Sequence, residues 1–178
     1  VFFSAHYGNW ELGPIIIKSL GLDPLCVYRK SNNKFVELLI QNIRGKNATY
    51  APKGDIGAKK SYLWLRKGKS LALLMDQKLN EGLSIDFLGK PANTASFIAD
   101  IAIRMNLDIV PIKFSRDINN HNIITFYKKI NMPKNNLSKN KKKSFILKQV
   151  NDVMSQWIKD QPENWLWIHR RWQKDLYV

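Results

Sequence analysis

The residues best placed to do chemistry lie near the start of the chain, in Ser4-Ala5-His6-Tyr7-Gly8-Asn9-Trp10-Glu11. Four residues separate the imidazole of His6 from the carboxylate of Glu11. Gly8 and Asn9 let the backbone turn between them, Gly by tolerating positive φ and Asn by local hydrogen bonding. A carboxylate folded back onto an imidazole fixes its tautomer and stabilises its protonated form, which makes a general base able to deprotonate a hydroxyl. The spacing alone leaves open the other role of a lone histidine among aromatic residues, that of a satisfied structural side chain.

The elements around this stretch decide where it sits. Val1-Phe2-Phe3 reads as the end of a buried strand, and Leu12-Gly13-Pro14-Ile15-Ile16-Ile17 as the opening of a helix. His6 therefore falls at the carboxyl end of a strand, where open α/β sheets bind ligands. With Asn9 as the cap, Glu11 lies in the first helical turn. With Pro14 as the first helical residue, Glu11 belongs to the turn. Both placements leave Glu11 near a helix N-terminus, which favours its ionised form.

Further along, Leu25-Cys26-Val27-Tyr28 reads as a strand ending at Arg29-Lys30, and residues 34–44 carry helical periodicity closed by Gly45. A brief strand over 49–51 leads to a turn at Pro52-Lys53-Gly54, with Asp55 capping a helix over about 56–67. Ser70 to Met75 reads as a strand buried on both faces, ending at Asp76-Gln77. Residues 77–94 read as a long loop, extended only around 85–88, with Thr94 or Asn93 capping a helix over about 95–106. Strands are expected over 109–114 and 123–130, paired as a hairpin, and a last helix over about 142–160. This alternation implies an α/β fold with a mostly parallel central sheet flanked by helices, forming one domain over residues 1–178.

The chain has 178 residues, 44% of them hydrophobic, and no apolar run long enough to span a membrane. One cysteine, Cys26, rules out an internal disulfide, fits a reducing compartment, and reads as a small buried hydrophobe. With 29 basic against 14 acidic residues the net charge is +15, which points to an anionic partner: nucleic acid, a membrane surface or a phosphorylated substrate. Residues 128–148 hold eight lysines and no acid, a solvated segment or a membrane-facing patch. Gly68-Lys69-Ser70 lacks the upstream glycine of a P-loop, no Gly-x-Ser-x-Gly elbow or Gly-x-Gly-x-x-Gly occurs, and His6, His121 and His169 lack zinc-site spacing.

His6 with Glu11 resembles the His-x4-Asp/Glu motif of the glycerolipid acyltransferase superfamily, and the octapeptide resembles more closely the late acyltransferases of lipid A biosynthesis (lauroyl/myristoyl type). The likeness continues in order through Val27-Tyr28-Arg29-Lys30, Arg44-Gly45, Lys53-Gly54-Asp55-Ile56 and Asp76-Gln77. It extends through Phe87-Leu88-Gly89-Lys90-Pro91-Ala92-Asn93-Thr94, Ile109-Val110-Pro111 and Trp165-Leu166-Trp167-Ile168-His169-Arg170-Arg171-Trp172. Asp76-Gln77 stands where phospholipid acyltransferases carry Pro-Glu-Gly. Two departures remain: the family's N-terminal hydrophobic anchor is missing from this stretch, and residues 78–84 lack its glycine- and arginine-rich spacing.

The resemblance implies transfer of an acyl chain from acyl carrier protein to a hydroxyl of a lipid A precursor, at the cytoplasmic face of a Gram-negative inner membrane. His6 would act as base with Glu11 orienting it. Arg29, Arg44 and Lys53 would bind lipid phosphates, with Asp76 and Gln77 at the same site. Ser4 would point away from the site by strand alternation, leaving no covalent acyl-enzyme. Arg170 and Arg171 would pack the C-terminus on the sheet or lie near the membrane. No metal, cofactor or nucleic acid is implied. The alternatives are a glycerophospholipid acyltransferase and a basic nucleic-acid-binding module, although no RNA-recognition signature appears.

Overall fold

The structure, a computed structural model, describes residues 1–45 and 48–177. In chain order the first elements are β1 (Phe2–Ser4), α1 (Leu12–Ser19), β2 (Pro24–Tyr28), α2 (Lys34–Arg44), β3 (Thr49–Pro52), α3 (Asp55–Arg66) and β4 (Ser70–Leu74). The rest are β5 (Lys78–Phe87), β6 (Lys90–Thr94), α4 (Phe97–Met105), β7 (Val110–Arg116), β8 (Asn122–Phe126) and α5 (Lys139–Asp160), followed by short 3-10 turns. The fold is α/β with a mostly parallel sheet flanked by helices.

Two compact units make up the chain, one of Val1–Trp10 with Leu74–Val178, the other of Glu11–Leu73. In the second unit β2 lies between β3 and β4, parallel to both, with Cys26 opposite Tyr50 on one side and Ala72 on the other. Helices connect these strands, as parallel pairing requires. In the first unit β1 runs parallel to β7, and β8 returns antiparallel to β7 with Phe114 opposite Ile124.

The core of the first unit follows helical spacing. Ile146, Val150 and Met154 of α5 are fully buried, as are Ile98 and Ala102 of α4. Each fully buried large aliphatic side chain contributes about 1.5–3 kcal/mol relative to exposure. In the second unit, Leu25 of β2 and Leu71 of β4 are fully buried. Helix α2 has the expected periodicity and an Asn33 cap whose side chain accepts from the N–H groups of Phe35 and Val36. It nevertheless buries no residue, and Phe35 and Ile43 are 83% and 72% exposed.

Several local expectations change. The 77–94 loop is the β5–β6 hairpin, closed by Leu88 and Gly89 with φ of 54° and 81°. Positive φ at both central residues is the signature of a two-residue hairpin turn, and a leucine in that conformation carries no sequence signal. Thr94 ends β6 and does not cap α4. Its hydroxyl donates to Ala92 O and accepts from Asn151 Nδ2 and Arg171 Nη2. Asp55 is the first residue of α3, with Gly54 at the cap position. Strand β4 is not buried on both faces: Leu71 and Leu73 are buried while Leu74 is exposed. Strand β8 stops at Phe126, and α5 starts three residues earlier than its apolar face indicates, in the lysine-rich stretch.

Candidate active site

His6 lies two residues past the end of β1. The loop that carries it is held by the C-terminal segment: Gly8 N donates to Asn164 O at 2.8 Å and Leu166 N donates to His6 O at 2.8 Å. Tyr7 and Trp165 form a single antiparallel bridge between the two. The buried Tyr7 anchors the loop through its hydroxyl, which donates to Trp157 O at 2.9 Å. Gly8 is required here, because its φ is +56° and an added Cβ would lie 2.3 Å from Phe114 O. The Trp10 ring meets the imidazole edge-on at 5.2 Å.

Asp76 reaches His6 from the chain just after β4. Met75 N donates to Ser4 O at 2.9 Å, which aligns the two segments. The carboxylate is 4% exposed, and Oδ1 lies 2.8 Å from His6 Nδ1. Oδ2 accepts a hydrogen bond from Trp165 Nε1 at 2.9 Å. Burial by itself would raise the Asp76 pKa; the hydrogen bond and charge of His6, with the Trp165 N–H, outweigh it and hold the carboxyl below its ordinary value. An ionised carboxylate only accepts, so the shared proton sits on Nδ1 and the lone pair of neutral His6 is on Nε2.

The carboxylate bonded to His6 is thus Asp76 and not Glu11, the sequence neighbour expected there. Glu11 stands at the cap position of α1, before Leu12, and is occupied by Arg44. Its Oε1 accepts from Arg44 Nη2 at 2.7 Å and its Oε2 from Nε at 3.2 Å. The Arg44 guanidinium also lies 5.4 Å from the Tyr28 ring centre and 5.2 Å from that of Tyr50. Tyr28 in turn donates to Glu37 Oε1, and Glu37 Oε2 accepts from Ser31 N.

Tyr28, Lys30, Gln41, Arg44, Tyr50 and Pro52 line a cavity of about 420 Å³ in the second unit. Lys30 and Arg44 are the cations of this lining, with Arg44 already paired to Glu11 and the Tyr28 hydroxyl to Glu37. The remaining expected site residues are distributed differently. Arg29, Lys53 and Gln77 are exposed and do not line this cavity. The backbone N–H of Lys53 donates to Tyr28 O at 2.8 Å. Ser4 is 4% exposed. Among the described residues no group of three or more His, Cys, Asp or Glu side chains is placed to hold a metal ion.

The family model of bacterial lipid A biosynthesis acyltransferases matches residues 1–174. The chain belongs to this family. The match favours an acyltransferase of lipid A biosynthesis over the glycerophospholipid and nucleic-acid readings. No curated protein matches the sequence. Among the described residues no helix is long and apolar enough to cross a membrane.

Three residues of this geometry escaped the sequence reading. Trp165 was legible only as part of an aromatic run, and Tyr28 and Tyr50 only as strand residues. For Tyr28 the one available signal was its position beside Arg29 and Lys30 at a strand end.

Proposed function

We propose that this acyltransferase moves a fatty acyl chain from an acyl carrier protein thioester to a hydroxyl of a lipid A precursor, with His6 as general base. The observation that carries this reading is the His6–Asp76 pair, which leaves Nε2 as the free basic nitrogen. Nε2 takes the hydroxyl proton while the oxygen attacks the thioester carbonyl. The tetrahedral intermediate then expels the carrier thiolate, which recovers the proton from His6. A base of this kind contributes ~10²–10⁴-fold. No covalent acyl-enzyme is needed, and the burial of Ser4 supports a direct transfer.

In this reading Arg44 and Lys30 meet the acceptor's phosphates, and Glu11 holds Arg44 in position. Arg29, Lys53 and Gln77 are further substrate contacts in this reading, which takes residues 1–178 as one catalytic domain. The charge of +15 and the exposed Phe35 and Ile43 on α2 support work at the anionic cytoplasmic face of a bacterial inner membrane.

The deciding experiment is acyl transfer from labelled dodecanoyl- or tetradecanoyl-carrier protein to lipid IVA, with and without Kdo, by the unmodified chain and by His6→Ala. Loss of transfer by at least about a hundredfold in His6→Ala supports the base assignment. Undiminished transfer sinks it.

A further inference from the structure

We infer that Trp165 is a positioning residue for the reaction: its indole N–H fixes Oδ2 of Asp76, so that Oδ1 alone faces His6 Nδ1. The inference rests on His6 acting as the base.

A carboxylate has two equivalent oxygens, and rotation about its bond to Cβ exchanges them. Asp76 is buried, so a carboxylate turned away from its partners would lose hydrogen bonds that water does not replace. The Trp165 N–H stops that rotation. Indole is a donor only, so the contact also selects the ionised carboxylate over the neutral acid, whose hydroxyl would compete as a donor. Ionised Asp76 is the form that keeps the proton on Nδ1 and the lone pair on Nε2. Arg171 is charge-coupled to Asp76 and favours the same ionised state through space.

Trp165 is itself held from two sides. Its ring stacks on Trp167 at 5.5 Å and 5°, and packs against Phe87 at 5.7 Å. Its backbone bridges Tyr7, and its neighbours Asn164 and Leu166 bond the backbone of Gly8 and His6. The C-terminal segment therefore sets both the backbone of the histidine loop and the rotation of the carboxylate. A tryptophan that merely filled space would not need its one polar atom aimed at Asp76.

The test uses the native chain labelled with ¹⁵N-histidine, where ring-nitrogen resonances report the tautomer directly. Neutral His6 is expected to carry its proton on Nδ1. Trp165→Phe, which keeps a ring but removes the N–H, is expected to move a clear fraction of His6 to the other tautomer, leaving exposed His121 and His169 unchanged. In acyl transfer it is expected to lower kcat roughly tenfold with little change in KM. In an Asp76→Asn background, Trp165→Phe is expected to add nothing.

An unchanged tautomer and kcat in Trp165→Phe, or an equal further loss in Asp76→Asn, overturns the inference. Should Trp165→Phe not fold, the indole N–H resonance of Trp165 in the otherwise native chain gives the answer. It is expected to shift on Asp76→Asn, and an unmoved resonance overturns the inference. Acyl transfer surviving in His6→Ala would sink the base assignment and with it the role of Trp165 in the reaction, whereas an unchanged tautomer in Trp165→Phe with transfer lost in His6→Ala would sink the role of Trp165 alone.

Discussion

The carboxylate of Glu11 grips the guanidinium of Arg44 at two points, while the rings of Tyr28 and Tyr50 lie beside it at 5.4 and 5.2 Å. Glu11 is half exposed, so the pair adds little to folding; such pairs contribute about 0–1 kcal/mol. Its value lies in holding a planar fork, which a lysine ammonium does not reproduce. Arg44→Lys is expected to change the urea unfolding free energy by under about 1 kcal/mol. It is expected to raise KM for lipid IVA roughly tenfold, the loss of one charge-assisted hydrogen bond. A large loss of stability with unchanged KM would make Arg44 a structural residue.

Asp76 links the site to pH. Burial pushes its carboxyl up, but the His6 hydrogen bond and charge and the Trp165 N–H bring it below the ordinary 3.8. A depressed carboxyl stabilises the fold above its unfolded value, and that contribution is lost as pH falls through the folded value. The gap in unfolding free energy between the native chain and Asp76→Asn is therefore expected to be full near neutral pH and to shrink below about pH 4. Urea unfolding across that range checks it. A gap that is constant or grows toward acid would contradict the ionised assignment.

What was legible in the sequence follows the range of the interactions. The β1–α1 junction, the periodicity of α2 and the strand over Leu25–Tyr28 rest on neighbours a few residues apart, and these stand. The partner of His6 is 70 residues away and the second donor to Asp76 is 89 residues from it. Their meeting depends on which strands lie adjacent, and no local pattern carries that. Glu11 offered the nearest carboxylate and so drew the expectation, yet backbone contacts from residues 164–166 shape the histidine loop. The β5–β6 hairpin escaped for a related reason: its strand is polar at Asn80 and Glu81, and its stability comes from α5, where Asn151 Nδ2 donates to Asp86 O.

Cys26 tests the second unit without any assay of activity. Burial pushes its thiol up to about 12, with the Arg44 charge opposing and Glu11 reinforcing that rise. At pH 8 roughly one thiol in ten thousand is then the reactive thiolate. Alkylation by iodoacetamide is expected to be at least about a hundredfold slower in the folded chain than in urea. Comparable rates would show that this part of the sheet opens freely or that the thiol is exposed.

Arg171 is the largest fully buried side chain, 1% exposed, and burial lowers its pKa to about 10. Nη1 donates to Asn93 O at 2.9 Å, Nη2 to Thr94 Oγ1 at 2.7 Å, and the guanidinium lies 4.6 Å from the Phe87 ring centre. The residue thus joins the C-terminal segment to the β5–β6 hairpin by a two-pronged contact. Geometry, more than charge, makes that contact work. Lys keeps the charge but offers one donor centre, and burying its compact ammonium without a carboxylate costs more than burying a guanidinium. Arg171→Met keeps the apolar contact with Phe87 and leaves Asn93 O without its donor. Each substitution is expected to cost about 1–3 kcal/mol, with Lys no better than Met. Urea unfolding gives the free energies, and near-ultraviolet circular dichroism reports loosening of the adjoining tryptophans. Full rescue by Lys would mean that the positive charge beside Asp76, and not the fork, is what the fold requires.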